Sequence, residues 1–428
     1  MISISTLKAV LREQKEDLKR ELAGTIPREH AMQVEGFRGR TALIVKGIRR
    51  CGKSTLLGQA LFKKRGEKFH YLNFDDERLA GFVAGDFQTM MEAFYQEEGR
   101  HPALLLDEIQ NVDGWELFVN RMLRSQMAVY LTGSNSDLLS EELGTRMTGR
   151  HTDVEMFPFS FVEYLAAKQV PVPSSQTHTT EESARLACVW IDYLREGGMP
   201  EAVLGGNPAV LSQVVDDIIH KDILHRHSVR KPQELRTALT FLLSISSSLF
   251  TFNALTKHFP IKSHRTVQKY FQYAQSAYLL FAVEKFERKM KLLDKNPRKV
   301  YGMDTGIVRK NSASVSEDLG ALLENAVAIE LKRRGRPFYY YSSRNGHECD
   351  FLVVDSGVGK KPLCAIQVCY DMSGLDTARR EERGLLACLA ETGLKEGLII
   401  TTDGEKEVKK EGKTIRYMPA YKWMMGKG

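Results

Sequence analysis

Residues Gly47-Ile48-Arg49-Arg50-Cys51-Gly52-Lys53-Ser54 form a full GxxxxGK[ST] match. An apolar run, Leu43–Val45, precedes the motif, and a helical pattern follows from Thr55. That strand–loop–helix context is what a phosphate-binding loop requires, and it commits this part of the chain to a parallel α/β sheet. Glycines let successive backbone N–H groups face one phosphate, and the helix N-terminus adds partial positive charge. Lys53 is expected to reach the β- and γ-phosphates of ATP, and Ser54 to ligate Mg²⁺. Ile48, Arg49, Arg50, Cys51 and Thr55 complete the expected binding loop; Arg49 and Arg50 could touch phosphate or face solvent. The competing reading is a chance glycine–lysine turn.

Further short apolar runs, Phe69–Phe74, Ala103–Leu106 and Val129–Thr132, alternate with helical stretches. Nearly all-apolar runs of this length fit strands buried on both faces of a doubly wound sheet. The run at 103 ends in Asp107 and Glu108. At the C-terminal edge of a strand, Asp107 would hold Mg²⁺ through water and Glu108 would act as general base on the attacking water. A strand followed by two acids can also simply open a solvated loop. The next strand ends in Thr132-Gly133-Ser134-Asn135, where Asn135 is the better-sized group to sense the γ-phosphate and Ser134 the alternative; a plain polar turn is the other reading. Arg146 and Arg150 are candidates for stabilising transition-state charge, often across a subunit boundary, or are ordinary surface arginines.

At 428 residues the chain should hold roughly three domains. Its 43% hydrophobic and 27% charged residues exclude a disordered or fibrous chain. A net charge of +7 permits an anionic partner but is too small for a nucleic-acid footprint over the whole chain. No apolar run is long enough to span a membrane, the richest being Phe241–Phe250 with its serines. The N-terminus lacks a secretory pattern, and six scattered cysteines fit a reducing cytoplasm.

The expected organisation is an N-terminal helical segment (1–40), an ATPase core (41–168), a linker (169–184), a helical lid with a winged helix-turn-helix (185–312) and a final α/β unit (313–428). In the middle region, Thr179 and Glu182 form a capping box, and Gly197-Gly198 ends the helix. Residues 251–290 then read as helix, turn, helix and strand. Lys262, His264, Arg265 and Lys269 would put positive charge at the start of the second helix, for DNA phosphates, whereas Tyr270, Phe271 and Tyr278 fit a core. An ATPase lid or a protein-docking module is the alternative.

The segments GIRRCGKSTLL, LLLDEIQ, LTGSNSDLL, Gly149-Arg150, FPFSFVEYL (157–165) and GGMPE (197–201) together resemble a prokaryotic family of AAA+-like P-loop ATPases with a C-terminal restriction-endonuclease-like domain of unknown function. The resemblance covers nearly the whole chain. It implies an AAA+-like parallel sheet, a helical and winged-helix middle and a PD-(D/E)xK-like α/β end. It also implies ATP rather than GTP, with Lys53, Ser54, Asp107, Glu108 and a sensor at Ser134 or Asn135. In the C-terminal unit, Glu324 and Asp350 suit the nuclease pattern, but the strand that should carry (D/E)xK reads Gln367-Val368-Cys369. Gln is a poor metal ligand and Cys cannot replace an ammonium.

Three functions follow in order of preference: ATP turnover coupled to DNA binding or remodelling, an ATP-driven switch acting on a protein partner, and an active metal-dependent nuclease. A homo-oligomer is compatible with the first two.

Overall fold

The computed structural model describes residues 2–134, 149–173, 179–257, 263–287, 296–313, 317–357 and 359–426. The chain forms two compact units: Met1–Phe157 with Ser276–Tyr278, and Pro158–Gln275 with Leu279–Gly428.

The first unit is built on a parallel sheet of β1 (Ala42–Gly47), β2 (His70–Asn73), β3 (Ala103–Asp107), β4 (Ala128–Gly133) and β5 (His151–Met156), in the order β2-β3-β4-β1-β5. β1, β3 and β4 are buried along their whole length, which explains their unbroken apolar sequences. β5 is the strand that the sequence reading leaves out. It is an edge strand with an exposed Thr152 and Asp153, so it shows no apolar run.

The helix Ile4–Leu22, in the N-terminal helical segment read from the sequence, covers this sheet. Leu7, Val10 and Leu11 share one core with Ala42, Ile44, Leu72 and Leu104. Its Gln14 side chain also imitates a neighbouring strand at the free edge of β2. The amide donates to the Asn73 carbonyl at 3.0 Å, and its oxygen accepts from the Asn73 N–H at 2.8 Å.

The second unit opens with the helix Phe161–Ala167, which the sequence reading assigned to the ATPase core. The expected capping box at Thr179 and Glu182 starts the helix Thr180–Glu196, and Gly197 ends it. The reason for two glycines there lies far along the chain. An added Cβ at Gly198 would meet the Phe159 carbonyl oxygen at 2.3 Å and its nitrogen at 2.9 Å. The Gly198 N–H donates to Asp304 Oδ2 at 2.6 Å, while Asp304 Oδ1 caps the helix Thr305–Asn311 through the Ile307 N–H at 2.9 Å.

Helices Pro232–Ser244, Phe252–Leu255 and His264–Ser276 accompany a small antiparallel sheet of β6 (Leu249–Phe250), β7 (Leu280–Val283) and β8 (Arg298–Gly302), ordered β6-β8-β7. Downstream, helices Leu319–Arg333 and Leu375–Thr392 flank a mixed sheet. It comprises β9 (Phe338–Ser342), β10 (Glu348–Val354), β11 (Pro362–Val368), β12 (Glu396–Thr401), β13 (Lys406–Lys410) and β14 (Lys413–Pro419), ordered β13-β14-β12-β11-β10-β9. Asn325 pairs through both ends of its amide with the Gly302 backbone and accepts from Ser246, fastening the helix Leu319–Arg333 to β8.

Burial pushes the Asp304 carboxyl up to about 6, against the donation of the Gly198, Ile307 and Gly306 amides. An acid whose pKa is higher folded than unfolded stabilises most when protonated. Its contribution is complete below the unfolded value and is lost as pH rises through about 6. The expected outcome is a loss on the order of 3 kcal/mol between about pH 4 and pH 6 that Asp304→Asn removes, since Asn does not titrate. Urea unfolding of both proteins across that range measures the difference in slope.

Candidate nucleotide site

β1 delivers the phosphate loop at its C-terminal end. Gly47 has φ +154°, and a Cβ there would strike the Met156 carbonyl oxygen of β5 at 2.1 Å. Arg50 (φ 62°) and Gly52 (φ 94°) also take left-handed backbone, folding the loop onto the start of the helix Lys53–Arg65. No side chain caps that helix, so its first N–H groups are free to meet an anion.

Lys53 is buried, with its ammonium donating to the carbonyls of Gly47 at 3.1 Å and Ile48 at 3.2 Å. Ile48 and Cys51 are core residues, and burial pushes the Cys51 thiol up, away from reactivity. Arg49 lies 3.6 Å from Asp75. Ser54 and Thr55 open the helix, both half-buried.

The loop has a clamp that sequence reasoning missed. Arg28, itself buried, donates to the Cys51 carbonyl at 2.8 Å and to the Phe157 carbonyl at 2.7 Å. One guanidinium thus joins the phosphate loop to the chain leaving β5. Nothing local in the sequence marks it, because its partners lie 23 and 129 positions away.

β3 and β4 bring the acids to the same edge. Asp107 is buried at the end of β3, where it accepts from the Thr132 hydroxyl, from Tyr71 at 3.4 Å and from Ser54. Thr132, fully buried on β4, also accepts from the Glu108 N–H at 3.1 Å. Its single hydroxyl therefore positions both acids. Glu108 sits in left-handed backbone (φ 51°), and its carboxylate accepts from Gln110 and from Ser134 at 3.3 Å.

Burial raises the Asp107 carboxyl above the usual range. Glu108 raises it further, and Ser54, Thr132 and Lys53 counter only part of this. Adjacent acids in need of positive charge, with a hydroxyl on the other side, are an oxygen donor set that fits Mg²⁺.

Of the other expected residues, Asn135, Arg146 and Lys262 lie outside the described residues. Arg150 is at the far end of the sheet, since its carbonyl accepts from Ala42 at the start of β1. A strand's length, on the order of 15–20 Å, separates it from the phosphate loop, and its guanidinium donates to Asn120 at 3.3 Å. It does not join the site of its own chain.

Among the described residues one group of histidines and acids, His70, Glu98 and His101, has ligand atoms within 4.8 Å of one another. His70 Nε2 accepts from the His101 N–H at 3.3 Å, so its Nδ1 donates to Glu98 at 2.8 Å, and Lys15 occupies the other Glu98 oxygen at 2.8 Å. This group is a satisfied structural tie.

In the second unit His264, Arg265 and Lys269 are exposed on their helix and Tyr270 and Phe271 are buried, and Tyr278 of the first unit is buried as well, as expected of core. Glu324 and Asp350 converge on one lysine, Lys299, while Cys369 is buried.

Comparison with known proteins gives matches along the chain. Residues 39–165 match the family described as "AAA domain", and residues 189–317 and 319–423 match two domains of unknown function, DUF8612 and DUF4143. An uncharacterized protein of Methanocaldococcus jannaschii, MJ1544, is 31% identical over 347 residues, covering 78% of this chain and 76% of its own length. An uncharacterized protein of Haemophilus influenzae is 31% identical over 306 residues, covering 68% of this chain and 74% of its own. Among solved structures, AMPPCP-bound DnaA from Aquifex aeolicus aligns at 17% identity over 62% of this chain and 88% of that one, with a TM-score of 0.25. That alignment is too loose to add to the fold described above.

Removing the Arg28 clamp should free the loop carbonyls and loosen the cradle. Arg28→Ala is expected to weaken binding of a fluorescent ATP analogue about tenfold, the equivalent of one or two lost hydrogen bonds. Unchanged affinity in equilibrium titration would show that the loop holds its shape without the clamp.

Proposed function

We propose that this chain, which belongs to one family with the uncharacterized protein MJ1544 of M. jannaschii and matches the AAA domain over residues 39–165, couples Mg²⁺-dependent ATP hydrolysis to the binding or remodelling of DNA. The observation that carries the hydrolytic part is the convergence of Lys53, Ser54, Asp107 and Glu108 at one sheet edge, with Thr132 joining the two acids. Lys53 and the loop N–H groups bind and orient the phosphates. Ser54 and Asp107 would hold Mg²⁺, which when bound supplies positive charge to the phosphate oxygens. Glu108 takes the proton from the attacking water, and Thr132 fixes its backbone.

Gln110 and Ser134 both donate to Oε2 of the Glu108 carboxylate, which orients it and leaves acceptor capacity for the attacking water. The second reading is a nucleotide switch, in which bound ATP sets a conformation for a protein partner. DNA is favoured by the exposed His264, Arg265 and Lys269 on a helix accompanied by the β6-β8-β7 sheet, in the order of a winged helix. Active nucleolytic chemistry ranks last, since Gln367 and Cys369 stand where a carboxylate and lysine would be needed.

The position of Arg150, remote from its own loop, supports a role at the nucleotide of a neighbouring copy in a homo-oligomer.

Glu108→Gln keeps the shape and removes the base. It is expected to bind ATP with wild-type affinity and to hydrolyse it at least about 100-fold more slowly. A phosphate-release assay with and without duplex DNA reads both the chemistry and the stimulation. Wild-type turnover in Glu108→Gln would sink the general-base assignment. Stimulation absent with every DNA form would favour the switch. Mixing Arg150→Ala with Lys53→Ala should restore part of the activity if the arginine acts across subunits, and a fully active monomer would exclude that arrangement.

A further inference from the structure

One buried cation lies far from the nucleotide loop in the sequence. Lys299, on β8, is almost fully buried, and its ammonium lies 2.6 Å from Glu348, 2.9 Å from Asp350 and 3.0 Å from Glu324. The three acids come from two elements of the C-terminal region: Glu324 from the helix Leu319–Arg333, and Glu348 and Asp350 from one face of β10. Three carboxylates around one ammonium use all three of its donors.

The remaining valences are filled by protein. Tyr301, two residues along β8, donates to Glu324 at 2.7 Å. The second Asp350 oxygen accepts from the Val368 N–H at 2.9 Å. Gln367 turns its amide to Glu381 at 2.5 Å and its oxygen to the Asp350 N–H at 3.3 Å, so it offers nothing to the pocket.

We propose that the Lys299 ammonium is the resident cation of this carboxylate pocket, that it keeps divalent ions off Glu324, Glu348 and Asp350, and that it binds β8 permanently to the C-terminal sheet.

Charge balance supports this. Burial alone would lower the Lys299 pKa, but Asp350, Tyr301, Glu324 and Glu348 outweigh it and hold the ammonium charged. Burial, and then the nearby Asp350, push the Glu324 carboxyl up to about 8, so at neutral pH it is largely protonated. Of the other two acids, Asp350 is matched by the ammonium, and Glu348 is a third exposed, where water screens it. The pocket is thus neutralised without a metal. Its acids also fall outside the set whose ligand atoms all lie within 4.8 Å of one another, which among the described residues is His70, Glu98 and His101 alone. The inference does not depend on the ATPase reading.

The test uses nucleotide-free full-length protein, with thermal unfolding and electron paramagnetic resonance counting of bound Mn²⁺. Lys299→Met should unfold roughly 5–10 °C below wild type in chelator, because buried acids lose their counter-ion. Millimolar Mn²⁺ should restore most of that loss and add a bound ion that wild type lacks. Adding Asp350→Asn to Lys299→Met should abolish both effects. If Lys299→Met does not fold, the same change made with Asp350→Asn and Glu324→Gln should fold, because both buried acids are then neutral and the demand for a cation is gone; failure of that triple variant would overturn the proposal. So would Mn²⁺ binding by wild type that Asp350→Asn removes, or a Lys299→Met protein as stable as wild type that gains no ion.

Discussion

The nucleotide site depends on a single buried hydroxyl. Thr132 donates to Asp107 and accepts from the Glu108 N–H, so two acids that repel each other are held at fixed positions by one group between adjacent strands. Burying Asp107 without donors would be costly, and here Thr132, Ser54 and Tyr71 all contribute. The parallel sheet makes this economical in sequence, because the ends of β1, β3 and β4 are neighbours and each supplies one part of the site. The phosphate loop, its helix and the N-terminal helix are then arranged around that edge.

The second unit is organised by two buried ionisable groups. Asp304 joins the turn at Gly198 to the helix Thr305–Asn311, and an added Cβ at Gly197 would meet Asp304 Oδ1 at 2.2 Å. Lys299 joins β8 to the C-terminal sheet. Each lies in the short stretch 299–304, and each ties together elements of the second unit that are distant in sequence.

What the sequence made legible was whatever is contiguous. The phosphate loop and the acids after β3 are written in single runs, and the buried strands declare themselves by unbroken apolar residues. β5 and β13 were missed because they are edge strands whose exposed polar residues give no apolar run. Gly197-Gly198 could be seen as a helix end, but not as a contact with Asp304. Arg28, Thr132 and Lys299 were invisible in their roles for one reason: each acts on partners distant in sequence, and an isolated Arg, Thr or Lys carries no pattern. A structure supplies the pairing; for Arg150 it supplies a separation from the phosphate loop of its own chain.

The most direct test is the rate of Mg²⁺-ATP hydrolysis by Thr132→Val, measured alongside its ATP affinity. If one hydroxyl positions both acids, hydrolysis should fall about 100-fold, the scale of a misplaced catalytic group, while ATP still binds through the intact loop. Hydrolysis at the wild-type rate would contradict the account, because the two acids would then be held in place by something other than Thr132.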